Sequence, residues 1–135
     1  MINDKKIRKI LNESKTIAVV GCSRDPEKDA HKIPKYLKER GYKIIPINPF
    51  AKEILGEKSY KTLSDIKEPI DIVNIFRPSE ECLQIVKEAI KLKPKPKVIW
   101  MQLGIKNEEA KKLAEKNKIK VIMDRCIMTE HKNLI

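Results

Sequence analysis

The sequence predicts an α/β fold, a single doubly wound domain with a five-stranded, mostly parallel sheet and helices on both faces. Two observations predict it. Short apolar runs rich in β-branched residues recur along all 135 residues, as is typical of parallel strands buried on both sides. Segments whose apolar residues have helical spacing separate these runs, and such alternation indicates βαβ units with right-handed crossovers.

The apolar runs are the predicted strands, at residues 16–20, 43–47, 71–76, 97–103 and 120–124. We expect the Rossmann-like order 3-2-1-4-5, which places a ligand outside the carboxyl ends of the strands, where the strand order reverses. The segment 50–70 is less regular, and we expect only a short strand or a helical turn there, within residues 60–66.

The predicted helices lie at residues 3–14, 32–40, 79–92 and 107–117. Asn3 and Asn107 are candidate N-caps, and the Asn117-Lys118 pair is typical of a helix that ends in the left-handed conformation. No linker or internal repeat is visible, so residues 1–135 are interpreted as one domain. We expect residues 1–14 to form an N-terminal helix that packs on the sheet.

Composition excludes several classes of protein. The formal charge is +11, yet aromatic residues make up only 4%, too few for base-stacking surfaces, so nucleic acid is an unfavoured partner. A high charged fraction of 36%, rich in lysine, resembles proteins of heat-adapted organisms. No apolar run is long enough to span a membrane, and residues 1–15 have no secretory apolar segment. We therefore expect a cytoplasmic protein.

Metal and disulfide sites have little support in the sequence. The cysteines, Cys22, Cys82 and Cys126, are odd in number and show no Cys-x-x-Cys spacing. His31 and His131 are far apart and have no ligand pattern around them. No nucleophile with a nearby base is visible, and we predict no catalytic residue and no metal ligand.

The carboxyl ends of the predicted strands carry polar and turn residues that should converge in space. Gly21 lets the backbone approach a phosphate, and Ser23 can donate a hydroxyl. A dinucleotide fingerprint needs further glycines at the positions of Ser23 and Pro26, and an acidic residue where Asn48 stands. The turn therefore favours a phosphate ligand other than NAD, although an NAD(P)-dependent oxidoreductase remains the alternative function.

Two cations and an amide are further candidates. Lys32 stands at the start of the predicted helix 32–40 and could pair with a phosphate, or could be one more solvated lysine. Arg77 offers a bidentate fork to phosphate, and the alternative is a salt bridge with Glu80 or Glu81. Gln102 could hydrogen-bond a ligand amide or ribose.

The chain resembles the small CoA-binding proteins related to the CoA-binding domain of the succinyl-CoA synthetase α-subunit. The resemblance rests on "AVVGCSRDPEKDAHKIPKYLKERGYKIIPINP", "ILGEKSYKTLSDI", "DIVNIFRPSE", "VIWMQLGIKNEEA" and "VIMDRCIMTEH". It implies coenzyme A as the cofactor, in free or acylated form. The cofactor-binding residues it implies are Gly21, Cys22, Ser23, Lys32, Ile33, Asn48, Pro49, Phe76, Arg77, Pro78, Gln102, Leu103 and Cys126.

The resemblance also implies which residues contact each part of coenzyme A. It implies that the phosphates and adenosine lie over residues 21–23, 48–49 and 76–78, and that Gln102 and Cys126 flank the pantetheine arm. The family often has Ser and Arg where this chain has Ala30 and Lys32, so the fork of an arginine is missing there. The function implied is non-catalytic CoA binding, in a carrier, sensor or regulatory role.

Cys126 is a candidate for a mixed disulfide with the ligand thiol. We expect the neighbouring Arg125 to lower the pKa of this thiol and so to raise the thiolate fraction. The alternative for Cys126, as for Cys22 and Cys82, is a small buried apolar residue.

Overall fold

A parallel sheet forms the centre of the protein. The structure, a computed structural model, describes residues 2–135. Its strands, in chain order, are β1 (Thr16–Val20), β2 (Lys43–Ile47), β3 (Glu53–Ile54), β4 (Glu57–Lys58), β5 (Ile72–Ile75), β6 (Val98–Met101) and β7 (Lys120–Ile122). Five of them form one parallel sheet in the order β2-β1-β5-β6-β7, while β3 and β4 form a separate antiparallel hairpin.

The Rossmann-like order 3-2-1-4-5 is confirmed, with a single residue in the place of the third strand. Tyr60 forms an isolated parallel bridge with Ile47 at the end of β2. Its N–H donates to the Pro46 carbonyl (3.0 Å) and its carbonyl accepts from Asn48 N–H (2.9 Å). The third long apolar run, β5, consequently pairs with β1 on the other side. The strand order therefore reverses at β1.

The helices are α1 (Asp4–Glu13), α2 (Asp29–Glu39), α3 (Cys82–Ala89), α4 (Glu108–Lys116) and α5 (Ile127–Leu134). The caps at Asn3 and Asn107 are confirmed, since their side chains accept from Lys6 N–H and Ala110 N–H. The predicted stop at Lys118 is also confirmed by its positive φ of 64°. No helix within residues 2–135 is both long and apolar enough to cross a membrane.

Helix α5 was not predicted, and α2 and α3 have different bounds from those expected. The residue that precedes α5 is Cys126, whose thiol is not one of the usual capping groups. Helix α2 begins at Asp29, three residues before the predicted start at residue 32. A short 3₁₀ turn, Ser79–Glu81, precedes α3 where a regular helix was expected.

The side chains of the sheet alternate between two apolar layers, as a doubly wound fold requires. In β1, Ile17 and Val19 point into the layer covered by α1, α2 and α5, which also contains Trp100. Ala18 and Val20 point into the layer covered by α3 and α4. Helices thus cover both faces, and the carboxyl ends of the strands are left open for a ligand.

Candidate functional site

A cavity of about 500 Å³ opens at the carboxyl ends of β1, β2 and β5, where the strand order reverses. This is the position in which open α/β sheets bind their ligands. Six of the residues predicted from the sequence line it: Gly21, Ser23, Asn48, Pro49, Phe76 and Arg77. The predicted convergence of the first three loops is therefore seen in the structure.

Gly21 is required by the close approach of two loops. Its φ is +88°, a backbone conformation that favours glycine. A Cβ at this position would lie 2.8 Å from Arg77 Cδ and 2.9 Å from the Phe76 carbonyl oxygen. Gly21 thus lets the turn after β1 pack against the end of β5, and it leaves its own face toward the cavity free of a side chain.

Ser23 fixes the turn and keeps a donor available. Its Oγ accepts from Asp25 N–H (3.0 Å), and its N–H donates to the Ala30 carbonyl (3.0 Å). Because the hydroxyl accepts in this contact, its own proton can still be donated to an anion in the cavity. Residues 24–28 connect this turn to α2, whose N-terminus favours negative charge.

Asn48 holds the two neighbouring loops together. Its Nδ2 donates to the Cys22 carbonyl (3.0 Å), and its Oδ1 accepts from Phe50 N–H (2.8 Å). Both ends of the amide are therefore engaged by the protein backbone. An acidic side chain, which NAD ribose recognition favours at this position, would lack the donor to Cys22.

Three cations line the cavity, and sequence reasoning found one of them. Arg77 was expected, whereas Lys28 and Lys61 were missed. Arg77 is paired with Glu81 through Nε–Oε1 (3.1 Å) and Nη2–Oε2 (2.9 Å), which is the alternative contact named above. Both side chains are about half exposed, so the pair is held weakly and can reorganise around an anion.

Several predicted residues do not line the cavity. Cys22 and Ile33, the latter on α2 itself, are buried in the apolar layer that α2 covers. Lys32 is exposed on the first turn of α2, and Pro78 is exposed just before the 3₁₀ turn. Their roles toward a ligand remain predictions, and Lys28 occupies the position by the cavity that was expected for Lys32.

Gln102 anchors the amino end of α5. It is buried, and its Oε1 accepts from Asn74 Nδ2 (3.1 Å) and from Ile127 N–H (2.9 Å). The other amide oxygen of this cluster, Asn74 Oδ1, is buried without a hydrogen-bond partner within residues 2–135. Leu103, the next residue after Gln102, is 69% exposed. A direct contact between Gln102 and a pantetheine arm remains a prediction.

Cys126 lies at the N-cap of α5 and differs from the other cysteines. Burial raises the pKa of Cys22 to about 12 and that of Cys82 to about 11. Burial also acts to raise the pKa of the Cys126 thiol, but hydrogen bonds from Thr129, Gln102 and the Met128 backbone outweigh it and lower that pKa. The expected direction is therefore found with a different cause.

Arg125 is not the group that lowers this pKa. Its guanidinium bonds to Glu130 at 2.7 Å and approaches Asp4 at 3.9 Å, both on helices that cover the sheet. The stabilising donors come instead from Thr129 and Met128 in the first turn of α5 and from the Gln102 side chain. The strand that precedes Cys126, β7, is separated from β1 by β5 and β6.

Neither histidine lines the cavity. His31 Nδ1 is 2.7 Å from the Ser23 carbonyl oxygen, and His131 is buried with its Nδ1 2.8 Å from the Tyr36 hydroxyl. Burial, followed by the charge of Arg40, lowers the pKa of His131. Within residues 2–135 no group of three or more His, Cys, Asp or Glu side chains could hold a metal ion. The cavity is equipped to hold an anionic ligand.

Known proteins are similar in sequence to this chain over nearly its whole length. The model of a family described as a CoA binding domain matches residues 15–132. An uncharacterised protein of Bacillus subtilis, YneT, is 43% identical over 126 residues, which are 93% of this chain and 92% of that protein. An ADP-forming acetate–CoA ligase of Methanocaldococcus jannaschii is 33% identical over 93% of this chain, which covers only 19% of the ligase.

Solved structures agree with this relationship. A Thermus thermophilus protein superposes with a TM-score of 0.93 at 41% identity and covers 99% of this chain and 100% of its own. A Pyrococcus horikoshii protein superposes with a TM-score of 0.93 at 40% identity and covers 98% of this chain and 92% of its own. The resemblance inferred from the sequence motifs is confirmed, and the chain belongs to the family of CoA-binding domains.

Proposed function

We propose that the protein binds coenzyme A, free or acylated, in the crevice at the carboxyl ends of its strands. The observation that carries this proposal is the cavity of about 500 Å³ at the strand-order reversal, which three cations line beside the Gly21 turn. An ADP-like group fits a site that combines cations, a helix N-terminus and apolar walls. The positive net charge of +11 would favour the approach of such an anion.

The pantetheine arm would extend from the cavity toward β6 and β7. Two strand spacings, about 10 Å, separate the end of β1 from the end of β6. Leu103 is exposed there and Cys126 is partly exposed. These residues lie outside the cavity itself, so the arm and the ADP group would use separate parts of the crevice.

The proposed binding is non-catalytic, in a carrier, sensor or regulatory role. The two carboxylates that line the cavity are Glu81, which pairs with Arg77, and Glu88, which has no histidine or thiol beside it in the lining. General acid–base catalysis requires a base within hydrogen-bond reach of a reacting group. An NAD(P)-dependent oxidoreductase is disfavoured, because Asn48 stands where the ribose acid belongs and both ends of its amide are engaged.

Native mass spectrometry of the gently purified protein tests the proposal. We expect a mass increase that corresponds to one coenzyme A, either carried from the cell or acquired on titration. A protein that takes up no coenzyme A at millimolar ligand contradicts the proposal.

Two lysine variants test the position of the ligand. Lys28 and Lys32 are both exposed and lie four residues apart, but only Lys28 lines the cavity. We expect Lys28→Ala to weaken coenzyme A binding about tenfold, or ~1.4 kcal/mol, and Lys32→Ala to leave it nearly unchanged. The opposite ranking would support the phosphate contact of Lys32 that the family resemblance implies.

A further inference from the structure

One wall of the cavity contains a carboxylate without a partner. Glu88, on α3, is partly buried and lines the cavity together with the apolar side chains of Leu63 and Ile85. Within residues 2–135 its carboxylate forms no salt bridge and no hydrogen bond, whereas Glu81, also in the lining, is paired. Burial raises the pKa of Glu88; the charge of Lys91 opposes this rise without forming a salt bridge, and the charge of Asp65 adds to it.

The rim of the same cavity contains a solvent-exposed aromatic ring, that of Phe50. Phe50 is 83% exposed, although its backbone is held on both sides. Its N–H donates to Asn48 Oδ1 (2.8 Å), and its carbonyl accepts from Arg24 Nη1 (3.3 Å). A fixed backbone that presents a free aromatic ring is suited to stacking on a planar base.

We propose that this part of the cavity is a base subsite that selects a purine with a 6-amino group. Phe50 stacks on the base, and the Glu88 carboxylate accepts a hydrogen bond from the exocyclic amino group. This inference rests on the proposed function, which supplies a ligand that contains a purine.

The selectivity follows from the chemistry of the two groups. A carboxylate is only an acceptor, so it bonds to an amino group and repels the oxo group that hypoxanthine and guanine carry at the same position. The deaminated base has its nearest donor at N1, one ring position away from the oxo group, so it must shift in the cavity before Glu88 can accept from it; without that shift two acceptors face each other unpaired.

The test compares coenzyme A with its deaminated analogue, in which the 6-amino group is replaced by an oxo group. By calorimetry we expect the wild type to bind coenzyme A at least tenfold more tightly than the analogue. Glu88→Gln, whose amide can rotate to accept or to donate, should bring this ratio close to one. The matched control is Glu80→Gln, an exposed glutamate in the adjacent 3₁₀ turn that does not line the cavity and should keep the wild-type ratio.

A second pair of variants tests the stacking ring. Phe50→Ala should lower the affinity for coenzyme A and for its deaminated analogue by about tenfold, and should leave the affinity for 4′-phosphopantetheine, which lacks the base, unchanged. Ile135→Ala removes another exposed apolar side chain outside the cavity and should leave the affinity for all three ligands unchanged.

The outcomes separate this inference from the proposed function. Wild-type protein that binds coenzyme A and the deaminated analogue equally well overturns the role of Glu88 while coenzyme A binding stands. An unchanged coenzyme A affinity in Phe50→Ala overturns the stacking role. Protein that binds neither ligand contradicts the proposed function itself.

Discussion

Arg77 lines the cavity and is paired with Glu81, through Nε–Oε1 (3.1 Å) and Nη2–Oε2 (2.9 Å). The Glu81 carboxylate competes with any anionic ligand for the Arg77 guanidinium, and it also repels that ligand. If coenzyme A binds as proposed, it would have to displace Glu81 or bind beside a partly neutralised arginine.

This pairing predicts opposite effects of two substitutions. Arg77→Ala should weaken coenzyme A binding, by about 1.5–3 kcal/mol if a charge-assisted bond is lost. Glu81→Gln should strengthen it, because the fork of Arg77 is released. Calorimetry with coenzyme A and dephospho-coenzyme A then locates the contact.

A larger loss for coenzyme A than for dephospho-coenzyme A in Arg77→Ala would assign Arg77 to the 3′-phosphate. Equal losses would assign it to the pyrophosphate. The exposed pair itself contributes only about 0.3–0.5 kcal/mol to stability, so both variants should unfold close to the wild type. Unchanged affinity in both variants would remove Arg77 from the site.

Two glycines form a matched pair for the close approach at the cavity. Gly21 and Gly104 both have positive φ, +88° and +82°, but a Cβ would meet other atoms within 4 Å only at Gly21. Gly104→Ala should cost about 1–2 kcal/mol of unfolding free energy from backbone strain. Gly21→Ala should cost more than that in denaturant unfolding, and should also weaken coenzyme A binding. Equal losses of stability would show that the Phe76–Arg77 contact does not restrict this turn.

The contacts of Asp71 predict how the free energy of unfolding depends on pH. Its Oδ2 accepts from the N–H groups of Lys15 (2.7 Å) and Thr16 (3.0 Å), and Lys97 lies 3.4 Å from Oδ1. Burial acts to raise the pKa of this carboxyl, but these three contacts outweigh it and lower the pKa. The stabilisation is therefore complete above the ordinary carboxyl pKa of about 4 and is lost as the pH falls through the lower folded value.

Asp71→Asn should thus cost about 1–3 kcal/mol of unfolding free energy at pH 7, with a smaller cost below about pH 4. Denaturant unfolding across the pH range measures the cost of Asp71→Asn at neutral and at acid pH. Lys43→Met is a suitable control, because it removes an exposed salt bridge with Glu68 and should change stability little. A loss in Asp71→Asn that stays constant down to pH 2 would contradict the assignment.

Cys126 is expected to react with coenzyme A disulfide. Its thiolate would attack one sulfur of the disulfide, form a protein–coenzyme A mixed disulfide and release the other coenzyme A as a thiol. Intact mass measured without reductant should show one adduct, absent from Cys126→Ser and retained in Cys22→Ser. Cys22, with a pKa raised to about 12, serves as the unreactive control. No adduct on the wild type at saturating coenzyme A disulfide would show that Cys126 is only a packing residue.

The sheet could be predicted because the sequence patterns of its strands are unambiguous. The bounds of β1 and β2 agree with the predicted 16–20 and 43–47, since each run is apolar and is followed by turn residues. Helix α5 was missed because its N-cap is a cysteine and its start resembles the end of the preceding strand. The single bridge of Tyr60 could not be read from a pattern, since one residue has no periodicity.

The site could be predicted only in part, for reasons of chemistry and geometry. Gly21 and Asn48 stand directly at strand ends, so their places follow from the fold. Lys28 and Lys61 were missed because lysine is abundant in this chain, and nothing in the local sequence distinguishes a lysine that faces a cavity. Glu88 lies on a helix seven residues beyond Glu81, and only the packing of α3 brings both to the same cavity.

We propose that the turn after β1 holds coenzyme A and discriminates against a nicotinamide dinucleotide. Calorimetric titration of the wild-type protein with coenzyme A, and separately with NAD⁺ and NADH, tests it most directly. We predict measurable heat with coenzyme A and at least tenfold weaker binding of NAD⁺ and NADH, a difference of about 1.4 kcal/mol or more. Equal or tighter binding of NAD⁺ or NADH would rule out this selectivity.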